Sequence, residues 1–224
     1  MGATIPSAAQ AAQEFLEDAD ALQHADVPSV RLVRRAHSRR WRRFPPELVL
    51  EAASILVARR AHRWAAYELV RFDGGAFSAL DDGRIEGLAA GLDSWDSVDG
   101  FARTLSGPAW AHGLISDTLV DRWSASPDRW LRRAALVSTI ALNRPAEGGK
   151  GDTARTLALC GRLAADRDDM VEKALSWTLR ELSKRHPAAV ARFLEERRAE
   201  FGARVRREVA NKLRTGLKNP RSGC

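Results

Sequence analysis

The sequence has little cysteine, methionine, tyrosine or lysine, and no long apolar run. Its 224 residues include two cysteines, two methionines and one tyrosine, Tyr67. Two cysteines, Cys160 and Cys224, cannot make a disulfide framework. The five histidines (24, 37, 62, 112 and 186) form no pair at ligand spacing, and Cys160 stands alone in an apolar helix. No metal ion and no cofactor is therefore expected. No Ser-His or Cys-His arrangement points to a nucleophile. The uncharged apolar stretches fall well short of the roughly 20 residues that a transmembrane helix needs. Residues 1–13 carry no basic segment followed by an apolar run, so no signal peptide is expected and the chain reads as cytoplasmic and reduced. Runs of alternating β-branched residues are also missing, which excludes most strand.

What is present is arginine and tryptophan. The chain carries 36 Lys plus Arg against 29 Asp plus Glu, a net charge of +7. Only Lys150, Lys173, Lys184, Lys212 and Lys218 are lysine; every other cation is arginine. There are seven tryptophans. A basic chain predicts a polyanionic partner, nucleic acid first and an anionic membrane surface second. A hydrophobic content of 45% argues against global disorder.

Apolar residues recur at three and four throughout, the helix period. Ser7 opens one helix, Pro28 and Ser29 the next, and Pro45-Pro46 a third. A fourth covers about 61–72. Gly74-Gly75 and Asp81-Asp82-Gly83 read as turns. Further helices fit 94–105, 116–123, 127–142, 152–165, 168–186, 187–200 and 204–217, with Ser94, Ser116 and Asp152 as caps. About a dozen helices joined by short connections predict an all-α chain. Trp95, Trp130 and Trp177 each lie near a helix start, 35 and 47 residues apart. That spacing brackets the roughly 40–47-residue unit of HEAT-type solenoids. The expectation is one α-α superhelix of HEAT-like repeats over 1–216, followed by a basic, disordered tail at 217–224. The loop 144–151 reads as a flexible insertion. Its Gly148-Gly149-Lys150-Gly151 is no phosphate loop, because Arg144 stands where a glycine is needed and Gly151 where Ser or Thr is needed.

Four features carry chemistry, and each also has an ordinary structural explanation. The run from Arg31 to Arg43 is a basic amphipathic helix: a solvated face, or one that meets phosphate or a membrane surface. Trp177 is off the centre of its helix's apolar stripe, with Lys173, Arg180 and Lys184 at i−4, i+3 and i+7. It is either a packing indole with a polar tip or part of a ligand-facing basic surface. Asp99 follows Trp95 by four residues, so the two share a helix face. Alone, an Asp at this position is more often an ordinary surface acid or an N-terminal helix charge. The adjacent Arg132 and Arg133 interrupt an apolar helix, as bidentate phosphate binders or as structural ion pairs.

Taken in order, Ser94-Trp-Asp-Ser-Val-Asp-Gly100, Trp130-Leu-Arg-Arg-Ala-Ala-Leu-Val137 and Glu172-Lys-Ala-Leu-Ser-Trp-Thr-Leu-Arg-Glu-Leu182 resemble the AlkD-type DNA alkylation repair glycosylases, a HEAT-like repeat family. The resemblance spans about 27–213. The basic segment 59–64 and the loop 144–151 depart from the pattern. The resemblance implies excision of cationic N3- or N7-alkylpurines from double-stranded DNA, without the base being taken into a pocket. It places the catalytic residues on Trp95, Asp99 and Trp177, and DNA contact on Arg133, with Lys173 and Lys184 on the basic face around Trp177. No metal, no membrane and a monomeric, nucleoid-associated protein complete the expectation. The chemistry is apt. An alkylated purine leaves readily, a carboxylate stabilises the cationic sugar and positions water, and indole faces favour a nearby cation by about 0.5–2 kcal/mol each. Two rival readings remain: a non-catalytic HEAT-like DNA-binding protein, and a scaffold that binds acidic surfaces through Arg31 to Arg43.

Overall fold

The computed structural model describes residues 5–24, 26–60 and 62–220. Among them every regular element is helical, the all-α class of an α-α superhelix of helical repeats. The expectation was one domain over 1–216; the contacts gather into two compact units, Met1–Gly91 and Leu92–Cys224. The division follows Gly91, whose φ of 69° lies in the left-handed region that favours glycine.

The first unit holds α1 (Ala8–Asp20), α2 (Val27–Trp41), α3 (Pro46–Ala58), α4 (Arg63–Arg71), α5 (Gly74–Ser78) and α6 (Asp82–Leu88). Helix α3 is its centre, packing on α1, α4, α5 and α6 and burying Val49, Ala52, Ala53 and Leu56 completely. Ser7 caps α1 in a capping box with Gln10, as its sequence position implied. Helix α2 is capped by Asp26 rather than by the Pro28-Ser29 pair, since the Asp26 carboxylate accepts from the Ser29 amide. Helices α5 and α6 occupy the segments read as turns. Asp73 and Asp81 accept from the amides of Ala76 and Arg84 and so start short helices with glycine in their first turns.

The second unit begins with α7 (Trp95–Phe101), a π turn (Ala102–Ser106) and α8 (Gly107–Ala111), which run on as one helical segment beyond the expected end near Leu105. Pro108 has no N–H to give the preceding turn, and the wider π turn lies immediately upstream of it. Gly107 has a packing role. A Cβ there would come within 2.7 Å of the Ala102 carbonyl oxygen and 2.8 Å of that of Ser138, so only glycine lets this segment approach the next long helix so closely. There follow α9 (Asp117–Ser124), α10 (Arg129–Asn143), α11 (Thr153–Arg162), α12 (Asp169–Leu182), α13 (Pro187–Glu196) and α14 (Ala203–Thr215).

Helix α10 is the counterpart of α3. It packs on α7, the π turn, α8, α9, α11 and α12, and α12 packs in turn on α14. The core between them includes Leu136, Val137, Ile140, Val171, Leu175, Leu179 and Val205. The loop after α10 is anchored. Gly149 N–H donates to the Arg144 carbonyl and Gly151 N–H to that of Leu142, both at 2.9 Å. Of the segment expected as a tail, Lys218 reaches back to Glu208 at 3.4 Å, and 221–224 lie outside the described residues.

Candidate functional site

The site is built from α7 with its π turn, α10 and α12. Ser94 starts α7: its hydroxyl accepts from the Ser97 amide in a capping box. Trp95 is thereby the first helical residue, with 56% of its surface exposed. Val98, Phe101 and Ala102 face the core. Asp99, one turn after Trp95, is half-buried, its side chain 17% exposed.

Arg133 of α10 grips that carboxylate with a fork. Its Nε donates to Oδ1 and its Nη2 to Oδ2, both at 2.8 Å. Its Nη1 donates to the Met170 carbonyl at the start of α12, at 2.6 Å. The guanidinium is buried, 5% exposed, and bridges three elements. Arg133, expected on a phosphate, donates here to Asp99 and Met170. Its neighbour Arg132 turns to the Asp166 carboxylate (2.7 Å) and to the carbonyls of Ser126 and Pro127. A bidentate arginine uses one lone pair on each carboxylate oxygen and leaves the others free. Asp99 is thus held in one orientation with acceptor capacity to spare.

Trp177 lies two turns after Met170 on α12, half-buried against the unit's core. The cations expected around it are largely satisfied. Lys173 pairs with Asp169 at 2.6 Å and Lys184 with Glu181 at 2.7 Å. Arg180 donates to Ser176 at 3.2 Å, and burial pushes its pKa down against the opposing pull of Glu208 and Glu181. A cation that sequence reasoning did not single out, Arg103 in the π turn, places its guanidinium over the Trp177 ring, 5.8 Å from the centroid. The signal was available: Trp95, Asp99 and Arg103 follow at steps of four.

The other five tryptophans fall into two groups. Trp41, Trp110 and Trp123 are buried. Trp64 is half-buried beneath Arg31 and Trp130 beneath Arg129. Cys160 is fully buried and its thiol pKa is pushed up by that burial, so it is inert. Among the described residues no group of His, Cys, Asp or Glu is placed to hold a metal ion, and no helix is long and apolar enough to cross a membrane.

The fold and site define an all-helical protein with a carboxylate held by an arginine fork. Residues 4–213 match the family of DNA alkylation repair enzymes. The chain belongs to that family. None of the curated proteins matches it.

Proposed function

We propose that this protein is a monofunctional DNA glycosylase that hydrolyses the N-glycosidic bond of cationic N3- or N7-alkylpurines in double-stranded DNA. The observation that carries this reading is the Asp99 carboxylate, fixed by the Arg133 fork, partly open to solvent, and one turn from the exposed Trp95. Family membership and the net positive charge support DNA as the substrate.

A positively charged purine already withdraws electrons from its glycosidic bond. The bond electrons leave with the base, which departs neutral, and positive charge develops on the sugar. Asp99 stabilises that charge through its free lone pairs and orients a water toward C1′. The water oxygen bonds to C1′ and its proton passes by way of the carboxylate to solvent. Trp95 and Trp177 present indole faces to the cationic sugar and lesion. Arg133 acts as a positioning residue, because its donors already serve Asp99 and Met170. Lys173 and Lys184 stand at the rim, where they add backbone affinity. Action as a monomer belongs to this reading. Excision without base flipping belongs to the same reading.

The test is release of 7-methylguanine or 3-methyladenine from methylated duplex by the wild type and by Asp99→Asn. Release by the wild type and its loss in the variant are expected. Equal release by both removes Asp99 from the mechanism. Duplex binding without release by the wild type favours a non-catalytic DNA-binding protein.

A further inference from the structure

We propose that Arg103 holds the DNA phosphate beside the lesion, the part that the sequence pattern had given to Arg133. The proposal rests on the reading of this site as a DNA-binding site.

The two arginines differ in what they already bind. Arg133 makes three hydrogen bonds of 2.6–2.8 Å. Withdrawing it would strand the Asp99 carboxylate, a costly change for a partly buried ion. Arg103 makes a single long hydrogen bond, from Nη2 to Glu147 Oε1 at 3.4 Å. Its Nε is buried with no hydrogen-bond partner, although the side chain as a whole is 40% exposed. A guanidinium carries five N–H donors, and a buried donor left unpaired is unfavourable. Arg103 is therefore a cation at the site with donors to spare.

Glu147 has a second arginine. The same Oε1 also accepts from Arg144 Nη1 at 3.2 Å, and Arg144 is itself anchored to Glu181 at 3.0 Å. If Arg103 moves away, the Glu147–Arg144 pair remains. The π turn places Arg103 one turn past Asp99, over Trp177. A phosphate flanking a sugar at Asp99 would offer the planar fork two acceptor oxygens in place of one distant carboxylate oxygen. The same movement uncovers the Trp177 ring, which then becomes available to the cationic sugar. In the absence of DNA the protein's own cation covers that ring.

The experiment measures binding to a duplex containing a tetrahydrofuran abasic analogue, which has no base to release, over a salt series. The proteins are the wild type, Arg103→Gln and Arg103→Lys. Arg103→Gln should bind about tenfold more weakly. Its log–log salt slope should be smaller by about one, the loss of one phosphate contact. Arg103→Lys should keep the slope, since a point charge suffices for that term. Wild-type affinity and slope in a folded Arg103→Gln, with only base release reduced, would show that Arg103 merely steadies Trp177 and would overturn the proposal. A wild type that binds duplex but releases no base defeats the glycosylase reading, while the salt slopes still decide for or against Arg103.

Discussion

Glu68 in the first unit and Asp99 in the second are both carboxylates held by arginine from a neighbouring helix, but the two clusters are finished differently. Glu68 takes Arg31 on Oε1 at 3.0 Å and Arg34 on Oε2 at 2.9 Å. Two cations meet one anion, and Glu68 and Arg34 are both buried. Burial lowers the Arg34 pKa, opposed by the attraction of Glu68. Asp99 has a single arginine and a part of its carboxylate open to solvent. The stacked cations repeat the contrast: Arg31 of the first unit, over Trp64, is also bonded to Glu68, whereas Arg103 of the second, over Trp177, has one long bond. An arginine–carboxylate pair is therefore no mark of a site by itself. The mark is a pair left with unused acceptors on one member and an under-bonded cation nearby.

The largest expected effect is a crossed pair of substitutions that breaks this comparison. Asp99→Asn keeps the shape of the side chain but removes its charge. It should lower base excision by about two to three orders of magnitude, the scale of a lost preorganised electrostatic group. Glu68→Gln should leave the excision rate per folded molecule near that of wild type. It should cost about 2–3 kcal/mol of stability in urea unfolding, because two arginines, one of them buried, lose their counter-charge. If Glu68→Gln abolished excision while the protein remained folded, the two clusters would not be functionally distinct.

Arg133→Lys sharpens the comparison from the other side. Lysine retains the charge but not the fork, and it cannot serve both Asp99 oxygens and the Met170 carbonyl together. Excision should fall about tenfold as the carboxylate loses its fixed orientation. Duplex affinity should change little on the proposal that Arg103, not Arg133, holds the phosphate. Single-turnover rates compared with binding separate these effects. A loss confined to affinity would return Arg133 to the phosphate.

Much of this was legible in the residues. The helix period, the caps Ser7, Ser94, Ser116 and Asp152, and the buried Trp41, Trp110 and Trp123 all follow from local rules that the structure obeys. Helices α5 and α6 were hidden because an Asp cap followed by glycine looks, locally, like a turn. The loop 144–151 looked flexible because its glycines are permissive; the structure uses that permissiveness for close packing. A Cβ on Gly149 would overlap the Ala141 carbonyl oxygen. The Asp99–Arg133 fork joins residues 34 apart, and helical spacing cannot say which acid an arginine will meet. For the same reason Arg103, whose partners lie in a distant loop and on α12, drew no notice beside the better-known residue types around it.

A third carboxylate tests whether the second unit's ion pairs matter to folding. Burial is the largest single influence on Glu181 and raises its pKa. The hydrogen bonds from Lys184 and Arg144 together outweigh it, and the net pKa is lowered. Asp152 follows the same pattern with Arg155. A carboxylate whose pKa is lower folded than unfolded stabilises the fold above its unfolded value of about 4, and that contribution disappears as the pH falls through the folded pKa. Unfolding midpoints should thus drop from about pH 5 downward. Glu181→Gln should flatten that part of the curve. A variant with an unchanged acid limb would remove Glu181 as a source.

The smallest effects belong to the rim. Lys173 shares Asp169 with Arg204, and Lys184 shares Glu181 with Arg144. Removing either lysine leaves its acid with a second cation, so the local charge is rearranged rather than stripped. Both side chains are about half exposed, 45% and 50%, where solvent and salt screen a single charge heavily. Lys173→Ala and Lys184→Ala should therefore weaken duplex binding by less than about threefold and barely alter the salt slope. Arg103→Gln, measured in the same series, sets the scale. If a rim lysine equalled it in both affinity and slope, the contrast between satisfied and unsatisfied cations would fail to rank the contacts, and the phosphate would belong to the face around Trp177 as a whole.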